Sequence, residues 1–209
     1  MSGISLTVTN LTKRFGRKPV FEPVSLSASS GEVVILAGAN GSGKSTLIKL
    51  LAGVLSPSTG KCDWSEDGKI IEYETLQQRI GFVAPYLELY NELSAAEHIE
   101  FVADLKSKTV TREESVALLT LFGLDTSIAS SERYVGKYSS GMQQRVRFAM
   151  AFACSPDVLF LDEPSSNLDD AGTSILFEKI KEFSSKRGIV FIATNDAKEK
   201  SLGTKVVTL

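Results

Sequence analysis

The chain has 209 residues, 43% of them hydrophobic and 23% charged, a globular composition that excludes disorder and allows one or two domains. Its net charge of −2 supplies no overall basic field to hold nucleic acid or an anionic membrane. The longest apolar run, 148–154, falls far short of the roughly 18 residues of a membrane span. Met1–Ser5 lacks a signal peptide's basic stretch and apolar core, and Cys62 and Cys154 are too few for a disulfide framework or zinc site. Together these features point to a soluble cytoplasmic chain with two reduced thiols.

In chain order, Ser5–Thr9 alternates with period two, as a half-buried strand does, and Val24–Ser27 does so again before the turn signal Ser29-Ser30-Gly31. Val33–Ala37 is instead a continuous apolar run, the pattern of a strand covered on both faces. Similar runs recur at Val158–Leu161 and Ile189–Ala193. From about Ser94 to Ser155 the pattern turns helical, with capping boxes at Ser94-x-x-Glu97 and Thr111-x-x-Glu114. Ile99, Val102 and Leu105 form one apolar stripe; Leu118, Leu119 and Phe122 form another, closed by Gly123. The predicted fold is α/β, one domain over 1–209. A core with a mainly parallel sheet and an N-terminal antiparallel β subdomain spans 1–85 and 157–209, and a helical lobe is inserted at 86–156.

Directly after the apolar run at 33–37 comes Gly38-Ala39-Asn40-Gly41-Ser42-Gly43-Lys44-Ser45-Thr46, which satisfies G-x-x-x-x-G-K-[ST] and opens into the helical stretch 47–51. That strand–loop–helix context is what a phosphate-binding loop requires. A triphosphate is met by backbone N–H groups at a helix N-terminus. Gly41 and Gly43 let the backbone curl, Lys44 brings a point charge to the β and γ phosphates, and the Ser45 hydroxyl faces Mg²⁺. A second anchor is Asp162-Glu163, at the C-terminal end of the run 158–161, where open α/β sheets bind ligands. Asp162 is placed to hold Mg²⁺ and Glu163 to take a proton from an attacking water, although a carboxylate pair could also cap the next helix.

With these motifs, Tyr138-Ser139-Ser140-Gly141-Met142-Gln143-Gln144-Arg145 resembles the signature of the nucleotide-binding subunits of ABC transporters, usually Leu-Ser-Gly-Gly-Gln. Tyr138, Ser140 and Met142 depart from it; Ser139 and Gly141 agree. Ser140-x-x-Gln143 also fits a plain capping box ahead of a helix over 145–154. Ser166-Asn167-Leu168-Asp169 is similar to the family's D-loop, and Phe15-Gly16 to the loop whose aromatic ring stacks on adenine, though Phe15 could equally be a core residue.

The resemblance runs from about Leu6 to Thr208 and implies ATP and Mg²⁺ as ligands, with ATP sandwiched between two such subunits. Lys44 and Ser45 of one would then meet Ser139, Ser140, Gly141 and Met142 of the other, with Asp169 beside them. It also implies a separate transmembrane permease as partner, which would hold this chain at the cytoplasmic face of a membrane. Tyr86, Leu87, Tyr90 and Leu93 are either the surface that receives that partner or ordinary core aromatics. Leu89–Ser94 agrees with the haem-export ATPases of cytochrome c biogenesis, which favours export.

Two positions depart from the family. Asn195 stands where a His is usual, and Pro85 where a Gln is usual. Asn can donate a hydrogen bond to phosphate but cannot become cationic, and Pro has neither a side-chain donor nor an N–H. These changes predict slow hydrolysis, with Glu163, Asn195 and Lys44 as the catalytic set. The only histidine, His98, reads as an exposed or half-buried helix position. An ATP-gated dimer with little turnover remains an alternative, as does a soluble non-transport ATPase. DNA-repair members need a long coiled coil before the signature, and the 92 residues between Thr46 and Ser139 show no sustained heptads.

Overall fold

The computed structural model describes residues 3–209. Its centre is a five-stranded parallel sheet in the order β6-β7-β8-β3-β9, from Ile80–Val83 (β6), Val158–Asp162 (β7), Ile189–Thr194 (β8), Val33–Ala37 (β3) and Lys205–Thr208 (β9). A four-stranded antiparallel sheet, β2-β1-β4-β5, is built from Val24–Ser29 (β2), Ile4–Thr12 (β1), Thr59–Glu66 (β4) and Lys69–Ile70 (β5). The helices are Lys44–Leu51 (α1), Tyr73–Gln78 (α2), Ala95–Leu105 (α3), Arg112–Leu121 (α4), Thr126–Ala129 (α5), Ser140–Phe152 (α6), Asp170–Ser185 (α7) and Ala197–Lys200 (α8).

The continuous apolar strands feed two cores, because successive side chains leave a strand on opposite faces. Val34, Leu36, Phe160, Ile189 and Phe191 face the antiparallel sheet and α1. Val33, Ile35, Leu159, Leu161, Val190 and Ile192 face the helices. On the first side Phe160 and Phe191 stack at 5.3 Å, with Trp64 of β4 edge-on to both. Trp64 Nε1–H donates to the Leu51 carbonyl at 3.1 Å. Truncating that indole to alanine costs about 3–5 kcal/mol by the usual scale for buried aromatics.

On the second side the helices between β6 and β7 share the core of the sheet, since Val146, Phe148 and Ala149 of α6 join the same cluster as Leu159 and Ile192. Both predicted capping boxes form, and Gly123 follows α4 at φ 81°. Three local expectations are corrected. α6 begins at Ser140, five residues before the predicted start, because Ser139 takes the N-cap and its hydroxyl accepts from Met142 N–H; the Ser140 capping box therefore does not form. In the first stripe Leu105 is exposed and Val102 half-buried. α3 instead buries Ala95, Ala96, His98, Ile99 and Ala103. His98 has no exposed surface at all, because both ring nitrogens find partners: the Ser94 carbonyl at 2.8 Å and the Tyr90 N–H at 3.0 Å.

Candidate functional site

The parallel register carries the predicted residues to one end of the sheet. Ala37 lies beside Thr194, and Asp162 beside Ala193, so the segments leaving β3, β7 and β8 emerge together. The loop Gly38–Gly43 then turns into α1. Gly43 is the N-cap at φ 99° and gives α1 no side-chain cap, so the orphan amides of its first turn stay available to an anion. A Cβ on Gly43 would lie 2.7 Å from Phe21 Cδ1 and 2.9 Å from Val20 Cγ1, which makes glycine obligatory there. Lys44 Nζ donates to the carbonyls of Gly38 and Ala39 at 2.8 and 3.0 Å. Its ammonium is thus held over the loop.

Val20, Asn40, Gly41, Gly43, Lys44, Ser45, Thr46 and Glu163 line one cleft. Asp162 is buried, and its Oδ2 has no partner. Burial pushes its carboxyl above the usual range; the Ser45 hydroxyl, Lys49 and Lys44 oppose that shift, and Glu163 adds to it. A buried, unpartnered carboxylate oxygen beside a serine hydroxyl fits a divalent cation. No group of three His, Cys, Asp or Glu side chains converges among the described residues, so such an ion would take its other ligands from phosphate and water. Glu163 has φ 45°, a conformation rare outside glycine and concentrated at functional sites. Its N–H donates to the Ala193 carbonyl at 2.9 Å, and its carbonyl accepts from Ser166 N–H at 3.1 Å.

Asn195 follows β8, and its Nδ2 donates to Asn40 Oδ1 at 2.7 Å. The N-terminus of α6 opens into a separate cavity of about 510 Å³ shared by Ser139, Gly141, Met142, Asn167 and Asp169, among others. Arg145 bridges its wall, donating to Asp169 at 2.8 Å and to the Gly123 carbonyl at 2.7 Å. The Gly172 N–H and this guanidinium hold the Asp169 carboxyl below its ordinary value. Phe15 is 70% exposed, in the β1–β2 connection pinned by the Arg14–Pro19 bridge. The core alternative for its ring is therefore excluded.

A family model described as ABC transporter matches residues 21–166. The chain belongs to the ABC transporter family. A sulfate/thiosulfate import ATP-binding protein of Rhizobium meliloti (strain 1021) is 33% identical over 220 residues, covering 99% of this chain and 57% of its own length. An ergothioneine transport ATP-binding protein of Helicobacter pylori is 31% identical, over 98% of this chain and 96% of its own. Thus the chain spans a little over half of the sulfate/thiosulfate relative and almost all of the ergothioneine one.

Among solved structures, an ATP binding subunit of an ABC transporter is 29% identical with a TM-score of 0.83, covering 98% of this chain and 85% of that one. A dimeric ATP-binding cassette in a post-hydrolysis state with ADP and Pi has a TM-score of 0.85 over 98% and 94% of the two chains. At 24% identity, this second likeness speaks for the fold alone. Export, drawn from Leu89–Ser94, finds no support in these relatives, the first of which is named for import. No helix among the described residues is long and apolar enough to cross a membrane.

Sequence reasoning missed the polar ties around this ABC site. Gln144 is fully buried in α6 and donates to the Pro164 carbonyl at 3.0 Å, just past Glu163. Arg147, one turn on, donates to the Leu87 carbonyl at 2.7 Å. Lys49 sits one turn beyond Ser45 on α1, with Nζ 3.9 Å from the centre of the Tyr86 ring. The i,i+4 spacing from Ser45 was the available signal for Lys49. A glutamine in a helix carries no such signal.

Proposed function

We propose that this chain is the ATP-hydrolysing motor subunit of an ABC transporter, dimerising around ATP and driving a separate membrane permease. The observation that carries the reading is a divided site: the cleft of Lys44, Ser45 and Glu163 is distinct from the cavity of Ser139, Gly141 and Asp169. One chain holds both halves in two separately lined pockets, and a second copy placed head to tail would bring each half to the other's.

In this reading Lys44 and the amides that follow Gly43 hold the β and γ phosphates. Phe15 stacks on the adenine, and Ser139, Ser140, Gly141 and Met142 of the second copy cover the γ phosphate. Ser45 and Asp162 would hold Mg²⁺, which would supply positive charge to neutralise the charge developing on the phosphates. Glu163 orients a water and accepts its proton as the water oxygen bonds to the γ phosphorus; the bridging oxygen departs with ADP. Tyr86, Leu87 and Tyr90, exposed on the lobe, together with Leu93, face the permease. That partner keeps the chain at the cytoplasmic face of the membrane.

Phosphate release from Mg·ATP over a wide range of protein concentration tests the reading, with Glu163→Gln beside it. Release rising faster than linearly and abolished by the substitution is the expected result. No release and no ATP-dependent dimer, with or without a membrane partner, would overturn it. A second reading, an ATP-gated dimer with little turnover, is favoured by the Asn195–Asn40 hydrogen bond. It predicts ATP-dependent dimers of the parent chain without phosphate release.

A further inference from the structure

The segment that follows β8 grips the loop that carries Glu163. Asp196 N–H donates to Thr194 Oγ1 at 2.9 Å, and Asp196 Oδ1 accepts from the Lys198 and Glu199 N–H groups at 2.7 and 3.0 Å. One residue thus fixes the short helix α8 to the end of the strand. From α8, Glu199 reaches the loop 163–169 with only 1% of its surface exposed. Its Oε1 accepts from the Ser165 N–H at 2.8 Å and from the Ser165 hydroxyl.

An acidic side chain buried against one amide and one hydroxyl is costly to folding, and Glu199 Oε2 is buried without any partner. What the contact secures is a conformation. The loop holds two residues at positive φ, Glu163 at 45° and Asn167 at 68°, and such backbone persists only where its surroundings impose it. Three consecutive residues are held from outside the loop. Glu163 N–H donates to the Ala193 carbonyl of β8 at 2.9 Å, the Pro164 carbonyl accepts from Gln144 of α6 at 3.0 Å, and Ser165 is taken by Glu199. The segment that carries Glu199 also touches the phosphate loop, through Asn195 and Asn40 at 2.7 Å. Both sides of the cleft are therefore referred to one short support.

We propose that Glu199 is a positioning residue for Glu163. By accepting from both donors of Ser165 it fixes the backbone two residues beyond Glu163, and with it the direction in which the Glu163 carboxylate leaves the end of β7. The inference rests on the ATPase reading above. Glu163 is exposed at the cleft, so the aim of its side chain depends on the backbone beneath it. A reacting group misplaced by about 1 Å can lose ~10²-fold in rate. Glu199 itself touches neither nucleotide nor water; it acts through the loop.

The test compares Glu199→Met and Glu199→Gln with the parent, as full chains, by phosphate release from Mg·ATP and by titration with fluorescent N-methylanthraniloyl ATP. Methionine fills the space of the side chain and removes the acceptor; glutamine keeps a carbonyl oxygen for Ser165. Glu199→Met is expected to bind the analogue as the parent does and to lower kcat by about 10-fold or more with little change in KM. Its Ser165 amide should exchange with solvent faster than the parent's, while the amides of β7 and β8 keep their rates. Glu199→Gln should restore most of the turnover and the protection of Ser165. Parental kcat in Glu199→Met overturns the proposal. So does an equal loss of turnover in both variants, which would tie the effect to the charge and not to the hold on Ser165. A matching loss of analogue affinity also overturns it, since that marks a general defect. A parent chain that releases no phosphate overturns the ATPase reading itself and takes the proposal with it, so the two failures are distinct.

Discussion

Asn195 Nδ2 donates to Asn40 Oδ1 at 2.7 Å, joining the end of β8 to the middle of the phosphate loop. The side chain proposed to meet the γ phosphate is therefore held by the Gly38–Gly43 loop. An amide at this position donates but neither charges nor carries a proton. Replacing it by histidine keeps a donor for Asn40 and adds a titratable ring. Asn195→His combined with Pro85→Gln is expected to raise phosphate release at least 10-fold, a fraction of the ~10²–10⁴ available to proton transfer. Unchanged turnover in the double variant would mean that these positions do not limit the rate.

The exposed Phe15 ring supports a second expectation. Its position in the β1–β2 connection leaves 70% of it open, with Lys13 Nζ 5.4 Å from the ring centre. Stacking of a base on an aromatic ring contributes about 1–3 kcal/mol. Phe15→Ala should weaken ATP binding by roughly 5–150-fold at unchanged thermal stability. Equal affinity, measured by calorimetry, would remove the ring from the adenine site.

Gly141 tests the divided site directly. A Cβ there would lie 2.9 Å from the Asn167 backbone oxygen, and Asn167 itself holds φ 68°. The clash falls on backbone, so the D-loop must shift. Gly141→Ala should cost about 1–3 kcal/mol of stability. Placed in the Glu163→Gln background, it should also reduce ATP-dependent dimers at least 10-fold by analytical ultracentrifugation, while monomeric ATP binding survives. Dimers at parental strength would separate the signature helix from the dimer contact.

These expectations rest on features of unequal legibility. β3, β7 and β8 were readable because a strand buried on both faces must be apolar throughout, and the Gly38–Thr46 loop because its residue types follow from its chemistry. β4 was invisible. Its sequence Thr59–Glu66 is polar, and only Trp64 is buried, since the strand's remaining stability comes from its ladder with β1. The start of α6 was misplaced because Ser140 and Gly141 are poor helix formers, a cost that matters little in a first turn capped by Ser139. The Tyr86–Lys49 contact joins elements distant in sequence, and no local pattern encodes it.

His98 misled for a related reason, since one of the two backbone groups that hold its ring belongs to Tyr90, in the loop ahead of the helix. The Tyr90 N–H donates to its Nε2, so the proton sits on Nδ1 and is donated to the Ser94 carbonyl. A second proton on Nε2 would face that N–H with no acceptor. Burial accordingly holds the ring below its ordinary pKa, against weaker opposing effects from Ser94 and Glu97. The sign follows from proton binding: below about pH 6.5 the unfolded chain takes the proton and the folded chain resists. Stability is full above that value and falls as the pH drops toward the folded pKa, by at most about 1.4 kcal/mol at pH 5.5. Urea unfolding at pH 7.5 and 5.5, for the parent and for His98→Gln, measures this contribution. The parent should lose more stability on acidification than the variant, whatever the variant's own deficit. Parallel losses would mean that His98 protonates in place, and that the hold on Tyr90 is weaker than its two hydrogen bonds indicate.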